Sequence, residues 1–250
     1  MKIHGTAKGG ALSTKDFGVA FGGGAPSCDF VDDFTSYADQ AAADAVYPNT
    51  VSGTVTAKVN VSTDLVGCIY PVSLSLNGLG ACTRQTDCNT DDAAWVLRFT
   101  NAITNHVQDG GVSTKNFIGM CNASHNTTAG AQQDGIGITS MVQATINKYF
   151  SVGVDNGEIL TASATDFSSF VPTNGDTDYI EIIRTTSTSF TVEAFENSNY
   201  TSSIESTSDS CDDTITGLDF LAFKGNQSRE GAALTTDVPK VEFKNAVTVY

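Results

Sequence analysis

Strict alternation of apolar and polar positions dominates this chain, and it is clearest between Asp178 and Glu196. There a run of Tyr179, Ile180, Glu181, Ile182, Ile183 and Arg184 is followed by four small polar residues, Thr185 to Thr188. A second run, Ser189 to Glu196, completes the pattern of an antiparallel hairpin with a longer loop. In that second run Phe190, Val192 and Ala194 point one way and Thr191 and Glu193 the other, because side chains on a strand alternate faces. One face is therefore buried and one is wet. Similar runs predict strands over residues 29–34, 54–61, 69–76, 94–100, 116–120, 135–142, 146–152, 217–224 and 241–250.

The spacers between runs carry Asn77-Gly78, Asp109-Gly110-Gly111, Asp155-Asn156-Gly157 and Asn174-Gly175, residues that accept positive φ at little cost. The pattern breaks once. Ser36-Tyr37-Ala38-Asp39 has the Ser-x-x-acid spacing of a helix start, and the alanine-rich Gln40 to Val46 precedes Pro48. This predicts a short helix, the longest expected in the chain. No repeat with a period of about 20–50 residues stands out, which argues against a propeller or solenoid. The expected body is a single sandwich of two sheets, a common outcome at this length.

Residues 1–27 depart from that body. They hold seven glycines, end in Gly22-Gly23-Gly24-Ala25-Pro26-Ser27, and read as an arm and linker without a core of their own. Lys2, Lys8 and Lys15 against Asp16 give the arm a net charge of +2; the rest keeps 10 basic and 27 acidic side chains, net −17. The whole chain stands at −15 with a pI near 4.3. Such a body repels nucleic acid and anionic membranes, so neither is an expected partner. The opposite charge of the arm can steer it onto a neighbouring copy or another acidic particle protein. Phe17, Val19, Ala20 and Phe21 can seat it in a groove or at a sheet edge.

Six cysteines, at 28, 68, 82, 88, 121 and 211, make an even number without a Cys-x-x-Cys pair, which favours disulfides over a zinc site. Cys82 and Cys88 bracket a polar segment with Arg84 and Asp87, and that bridge is the expected one. Five sequons, at Asn60, Asn122, Asn126, Asn199 and Asn226, are candidate glycosylation sites. Met1 to Gly24 lacks the apolar stretch of a secretory signal, and no run is long enough to span a membrane. Disulfides and sequons without an export signal suggest a protein made in a cell and released as part of a particle.

Several segments together resemble one family: Asp32-Asp33-Phe34, the strand Ala94 to Phe99, the hairpin Tyr179 to Phe195, and the closing Lys240 to Val247. They are similar to the concanavalin A-like (laminin G-type) jelly roll, over about residues 28–250. The resemblance implies an all-β, two-sheet antiparallel jelly-roll sandwich with one short helix and an extended N-terminal arm. It implies no single activity, since lectins, carbohydrate-binding modules, glycosidases and adhesive virion or cell-surface domains share the fold. The arm, Lys2 to Ser13 followed by Asp16 to Phe21, resembles the start of uncharacterised proteins from viruses of marine archaea and bacteria. Many relatives bind a structural calcium near the first strand with an acid from an Ile-Asp-Asp-Val-type closing strand. Here Val238-Pro239-Lys240-Val241 stands in that place with Asp237 outside it, so no cofactor is expected, and Asp32 and Asp33 read equally as solvated or capping carboxylates.

Candidate chemistry is sparse. Asp176, Asp178 and Glu181 loosely echo the carboxylate pattern of jelly-roll glucanases, but alternation puts Glu181 on the face opposite Asp176 and Asp178. A solvated strand entry is the better reading. Glu193 and Glu196 read as surface charges. His4, His106 and His125 are the only histidines and no Gly-x-Ser-x-Gly elbow occurs, so a nucleophilic triad lacks its parts. Cys121 and His125 would make only half a metal site. Trp95 alternates with Leu97 and Phe99 and reads as core; Tyr70, Tyr149 and Tyr200 remain as sugar platforms.

The expected function is a non-enzymatic structural or adhesive protein, extracellular, on the surface of a virion or similar particle. Its arm would join copies of itself or other particle proteins, and its lectin-like domain would face host-surface glycans. The alternatives are a stand-alone extracellular carbohydrate-binding module and a jelly-roll glycoside hydrolase.

Overall fold

The structure is a computed structural model and describes residues 19–21, 29–52, 56–61, 65–69, 78–86, 94–107, 113–122, 133–143, 146–157, 165–211, 215–227, 233–245 and 247–249. Among these residues, strands account for every regular element but one. The smaller sheet runs in the order β10 (Ile146–Gly157), β9 (Gln133–Gln143), β8 (Ser113–Cys121), β14 (Phe220–Gln227), β6 (Gly78–Gln85) and β3 (Asn49–Ser52). The larger runs β13 (Ser203–Ser210), β12 (Ser189–Phe195), β11 (Thr177–Arg184), β7 (Trp95–Val107), β15 (Ala233–Asn245), β5 (Leu65–Ile69) and β4 (Thr56–Asn60). A short β2 (Phe30–Asp32) also pairs with β15. All pairings are antiparallel.

Alternation places the core. Trp95, Leu97 and Phe99 on β7, Ile180 and Ile182 on β11, Phe190, Val192 and Ala194 on β12, and Val241 and Phe243 on β15 face one way. They meet Ile118 and Met120 of β8, Ile136 and Ile138 of β9, and Leu221 and Phe223 of β14 in one buried cluster. Trp95 is fully buried, as its alternation with Leu97 and Phe99 predicts. The opposite face of the smaller sheet is covered as well: Phe117, Cys121, Val152, Val154 and Ala222 form a second cluster. There the Phe117 ring lies across β8 and β9 so closely that a Cβ at Gly137 would come within 2.4 Å of it. Only glycine fits under that ring.

The hairpin at 178–196 forms as its sequence predicts, with Tyr179 opposite Phe195 and Arg184 opposite Phe190. The helix α1 (Gln40–Val46) also forms, but its cap differs from the expected one. Asp39 is the N-cap and accepts a bond from the Ala42 N–H at 2.9 Å, so Ser36 lies outside the helix start. Strands β3, β6 and β13 were not expected, and β5 (Leu65–Ile69) meets the strand expected over 69–76 only at Ile69; the rest of that expected strand lies outside the described residues. The glycine-rich, charged Gly-Leu-Gly-Ala-Cys-Thr-Arg-Gln of β6 lacks a strand signature, yet β14 and β3 pair with it on both sides. Cys82 and Arg84 thus belong to a central strand rather than to a polar loop, and Cys82 is buried. Its expected partner Cys88 lies outside the described residues.

The segment 165–170 closes one side of the sandwich. It bridges to the β10 edge, with Ser151 N–H donating to Thr165 O at 3.0 Å and Phe167 N–H to Tyr149 O at 3.0 Å. It then reaches Glu205 on β13, whose carboxylate accepts the backbone N–H groups of Ser168, Ser169 and Phe170 and both serine hydroxyls, at 2.6–2.9 Å. Of the arm, Lys2, Lys8, Lys15 and Phe17 lie outside the described residues. Val19–Phe21 (β1) pairs antiparallel with Val247–Val249 (β16), so Phe21 lies opposite Val247 of its own chain. No helix among the described residues is long and apolar enough to cross a membrane.

Candidate functional site

The carboxylates that the hairpin concentrates are separated by the sheet that carries them. Asp178 points inward, 7% exposed, and its carboxylate accepts the Tyr149 hydroxyl at 2.6 Å. Asn101, its cross-strand neighbour, donates its amide to the same tyrosine oxygen at 2.8 Å. Burial pushes the Asp178 carboxyl up to about 6; the Tyr149 hydrogen bond opposes this and the nearby Asp176 reinforces it.

Glu181 points outward and accepts a hydrogen bond from Arg98 Nε, with both side chains buried and the guanidinium 4.6 Å from the Tyr200 ring centre. Burial raises the Glu181 pKa while Arg98 pulls it down. The expectation of a solvated strand entry is therefore corrected: the alternation is as predicted, but neighbouring layers cover both faces. Two carboxyl groups on opposite faces of one sheet cannot flank a single glycosidic bond, which requires them about 5–9.5 Å apart on either side of it. Glu196 is exposed, as expected, and Glu193 is half-buried opposite Glu181.

Asp32 is not solvated either. At 6% exposure it accepts hydrogen bonds from Tyr37 Oη at 2.5 Å, Tyr47 Oη at 3.0 Å, Arg84 Nη1 at 2.9 Å and Phe34 N–H at 2.8 Å. Arg84 comes from β6, so the cluster ties the two sheets together. A guanidinium and three further donors occupy the carboxylate, and this set does not fit a calcium ion, whose ligands must be free oxygens. Asp33 is exposed and serves only the Thr35 N–H and hydroxyl. Among the described residues no group of three or more His, Cys, Asp or Glu side chains could hold a metal ion.

An open concavity lies elsewhere among the described residues, at the edge of the larger sheet. Thr185, Ser189, Phe190 and Thr191 of the hairpin, with Ser208, Asp209 and Ser210 of the edge strand β13, line a pocket of about 450 Å3. Register sets this lining: Ser189 pairs with Ser210, Phe190 with Asp209 and Thr191 with Ser208. The Thr191 and Ser208 hydroxyls stand 3.3 Å apart. Asp209 accepts Ser151 Oγ at 3.2 Å and the Ser210 N–H at 2.8 Å.

Phe190 turns its ring to the core side of the sheet and is packed tightly there. A Cβ at Gly153 would lie 2.5 Å from its ring and 2.7 Å from Cys211 Sγ. The rim is held from within by Arg184, fully buried, whose guanidinium donates to the carbonyls of Thr186, Ser187 and Ile215. Cys211 N–H also donates to Thr188 O at 2.9 Å. The pocket is thus a hydroxyl-rich outer face of the sheet edge, with the Asp209 side chain turned to the other face beside Ser151. Sequence reasoning missed it because single Ser and Thr residues carry no signal in a chain so rich in both.

The aromatic platforms fare differently. Tyr149 is 1% exposed and stacks on Phe170 at 4.6 Å, so it is corrected to core. Tyr200, at φ +54, packs against Phe195 and over Arg98. Tyr70 lies outside the described residues. Of the sequons, Asn122 and Asn199 are exposed, Asn60 lies on β4, Asn226 lies on β14, and Asn126 is outside the described residues. Asn122 Nδ2 donates to Asp134 at 2.9 Å.

No family model matches the chain, and no curated protein matches it in sequence. Solved structures do match. A protein of unknown function from Shewanella oneidensis MR-1 superposes with a TM-score of 0.55 at 12% identity, covering 98% of each chain. The Emp46p carbohydrate recognition domain in its potassium-bound form gives 0.53 at 9% identity, over 87% of this chain and 95% of that one. Lectin UEA-II complexed with galactose gives 0.51 at 12% identity, over 86% and 97%. The fold is therefore the concanavalin A-like jelly roll, as the resemblance implies, and at these identities the likeness speaks to the fold alone.

Proposed function

We propose that this is a non-enzymatic carbohydrate-binding protein, with residues 28–250 as a lectin-like domain and residues 1–27 as an attachment arm. The observation that carries the reading is the pocket at the β12–β13 edge. Hydroxyl groups that both donate and accept, aligned across a paired strand edge, match the hydroxyl-studded edge of a sugar ring. Its volume falls in the ordinary range for a small-ligand site. The separation of Asp178 from Glu181 supports the non-enzymatic part. The finer reading is that the domain is displayed outside an assembled particle, a virion, toward host-surface glycans. The arm then contacts copies of the chain or other particle proteins; its charge, opposite to that of the body, supports this.

The test is a glycan array probed with the full chain, alongside a T191V/S208A variant checked for an unchanged far-UV spectrum. Binding that is lost in T191V/S208A is the expected result; an array without hits at millimolar sensitivity overturns the carbohydrate reading. Deleting residues 1–24 is expected to leave the body folded and to abolish oligomers or particle incorporation. Normal assembly of that deletion overturns the role of the arm.

A further inference from the structure

The strands that end the two sheets are finished differently. At β4 the helix α1 covers the edge: Gln40 donates to the Val59 carbonyl and accepts the Val61 N–H. At β10 the 165–167 segment pairs with the edge, through Ser151, Phe167 and a bridge at Phe150. β13 ends the larger sheet beyond β12, and Ser206, Ser208 and Ser210 on it are exposed. The 165–170 segment meets this strand at Glu205, before that run of serines begins.

The Cys211 N–H donates to Thr188 O at 2.9 Å, which sets the phase of the ladder. Hydrogen-bonded residues recur at every second position of an antiparallel pair, so Thr207 and Asp209 turn their main chain to β12. Ser206, Ser208 and Ser210 turn theirs to the open side. Edge strands are ordinarily blunted by Lys, Pro or a bulge. Between Ser206 and Ser210 there is none of these, and the register shift with β12 lies at the other end, beside Phe195.

An extended strand fits such an edge, and this one fits itself. Two copies meeting antiparallel about a two-fold axis must set outward-facing serines against each other. An axis at Thr207 would set Glu205 against Asp209, and an axis at Asp209 would set that carboxylate against its own copy; like charges directly opposite repel. An axis at Ser206 would set Thr207 against Glu205, whose carboxylate the 168–170 segment already fills with donors. An axis at Ser210 runs past the end of the strand. An axis at Ser208 sets Ser206 against Ser210 and Thr207 against Asp209. Both members of that last pair gain. Thr207 is 7% exposed and its hydroxyl is buried without a hydrogen-bond partner. Asp209 takes the Ser151 hydroxyl and the Ser210 N–H, about half of what a carboxylate can accept. Both side chains lie on the core-facing side of β13, opposite Val192 and Phe190 of β12.

We propose that two copies of this chain pair through β13, antiparallel about a two-fold axis at Ser208, and that the pairing joins their hydroxyl faces into one binding surface. The second part rests on the carbohydrate reading above. Ser208 shares its face with Thr191, so the pairing sets Thr191 and Ser208 of one copy in a row with Ser208 and Thr191 of the other. Three strand spacings make that row about 14 Å long, a span that suits an oligosaccharide rather than a single sugar. The oligomers that the arm builds would then be assembled from such pairs.

Sedimentation equilibrium of the full chain is expected to show a monomer–dimer equilibrium that tightens as salt screens the two acidic bodies. S206P removes an N–H that the fold of one copy does not use, because proline is tolerated on the open side of an edge strand. It leaves the hydroxyls that line the pocket in place, and is expected to weaken the dimer at least about tenfold with an unchanged urea midpoint. In S208C the two sulfurs meet on the axis, within disulfide reach for paired strands, and oxidation is expected to give a cross-linked dimer. S206C alone is expected to give none, and S206C mixed with S210C to give one. On the glycan array S206P is expected to lose about tenfold for oligosaccharides and to keep its signal for single sugars. A chain that stays monomeric up to about 1 mM, an S206P variant that dimerises like the wild type, or an S208C variant that does not cross-link overturns the pairing. Cross-linking of S206C with itself overturns the register. An array unchanged in S206P overturns the joined surface and leaves the pair standing. An array without hits for any variant overturns the carbohydrate reading and the joined surface together, and leaves the pair to stand on sedimentation and cross-linking.

Discussion

Asp32 and Asp178 invite comparison. Both sit on strands of the larger sheet, both are buried to nearly the same degree, 6% and 7% exposed, and both accept tyrosine hydroxyls. Asp32 also has Arg84, whose guanidinium lies over the Phe30 ring at 3.9 Å, and a backbone N–H. Asp178 has Tyr149 as its hydrogen-bond donor and a second carboxylate, Asp176, close enough to oppose its charge. Beside it the Asn101 Oδ1 is buried without a hydrogen-bond partner. Burial does not decide what a carboxylate does; the partner that travels inside with it does. The Asp32 cluster is a staple between layers. The Asp178 cluster is a tolerated anion that burial pushes toward its neutral form.

Three experiments separate these roles. The largest effect is expected from breaking the staple on one side. D32A strands the Arg84 charge and two tyrosine hydroxyls, R84M leaves the buried Asp32 carboxylate without its cation, and urea unfolding is expected to show a loss of about 3–5 kcal/mol for either. The double variant D32L/R84M removes both charges and is expected to recover part of that loss. A single-variant loss below about 1 kcal/mol would mean that Asp32 is no staple.

D178N is expected to act in the opposite direction. The folded-state pKa of Asp178, about 6, lies above its ordinary 3.8, so the native state holds more protons between those values and stability falls as pH rises through that window. Asparagine keeps the acceptor for Tyr149, removes the buried charge, and brings an N–H to the side of Asn101. The variant is expected to gain about 1–2 kcal/mol at pH 7 and little at pH 4. Equal effects at both pH values would show that Asp178 carries no buried charge at neutrality.

The smallest effect belongs to Glu205, a carboxylate with many donors but much solvent. Slight burial raises its pKa, but the bonds from the backbone N–H groups and hydroxyls of the 168–170 segment win and hold it down at about 2. Its contribution is present above the ordinary 4.5 and is lost as pH falls through about 2. E205Q is expected to cost about 1 kcal/mol at pH 7 after solvent screening, with the loss vanishing toward pH 2. Hydrogen exchange is expected to rise at the Ser168, Ser169 and Phe170 amides in particular. No change at those amides would separate Glu205 from the closure of the sandwich edge.

Much of the scaffold was legible residue by residue. The alternation of Phe190, Val192 and Ala194 against Thr191 and Glu193, and of Trp95, Leu97 and Phe99 against Arg98, placed the core strands and their faces. Local spacing failed where pairing overrode it: β6 is a strand because β14 and β3 hydrogen-bond to it, despite two glycines and an arginine. β13, Ser-Ile-Glu-Ser-Thr-Ser-Asp-Ser, is polar enough to read as loop and is held by β12. The helix start slipped from Ser36 to Asp39 because both offer a capping oxygen and only the chain path chooses between them.

What the sequence determined by itself, then, is the layering: period-two patterning forces one face of each strand inward, whichever strands become neighbours. It also determined the contrast between a basic, glycine-rich arm and an acidic body, since net charge needs no structure. What only the tertiary structure decided is the company each polar group keeps. Alternation puts Asp178 inward and Glu181 outward, but it says nothing of Tyr149 arriving from the other sheet or Tyr200 folding over Arg98. Nor does it show that Ser189, Thr191, Ser208 and Ser210 share one face at the sheet edge. Those juxtapositions reach far along the chain, as between Arg98 and Tyr200. They come from strand register and layer packing, which no local pattern encodes.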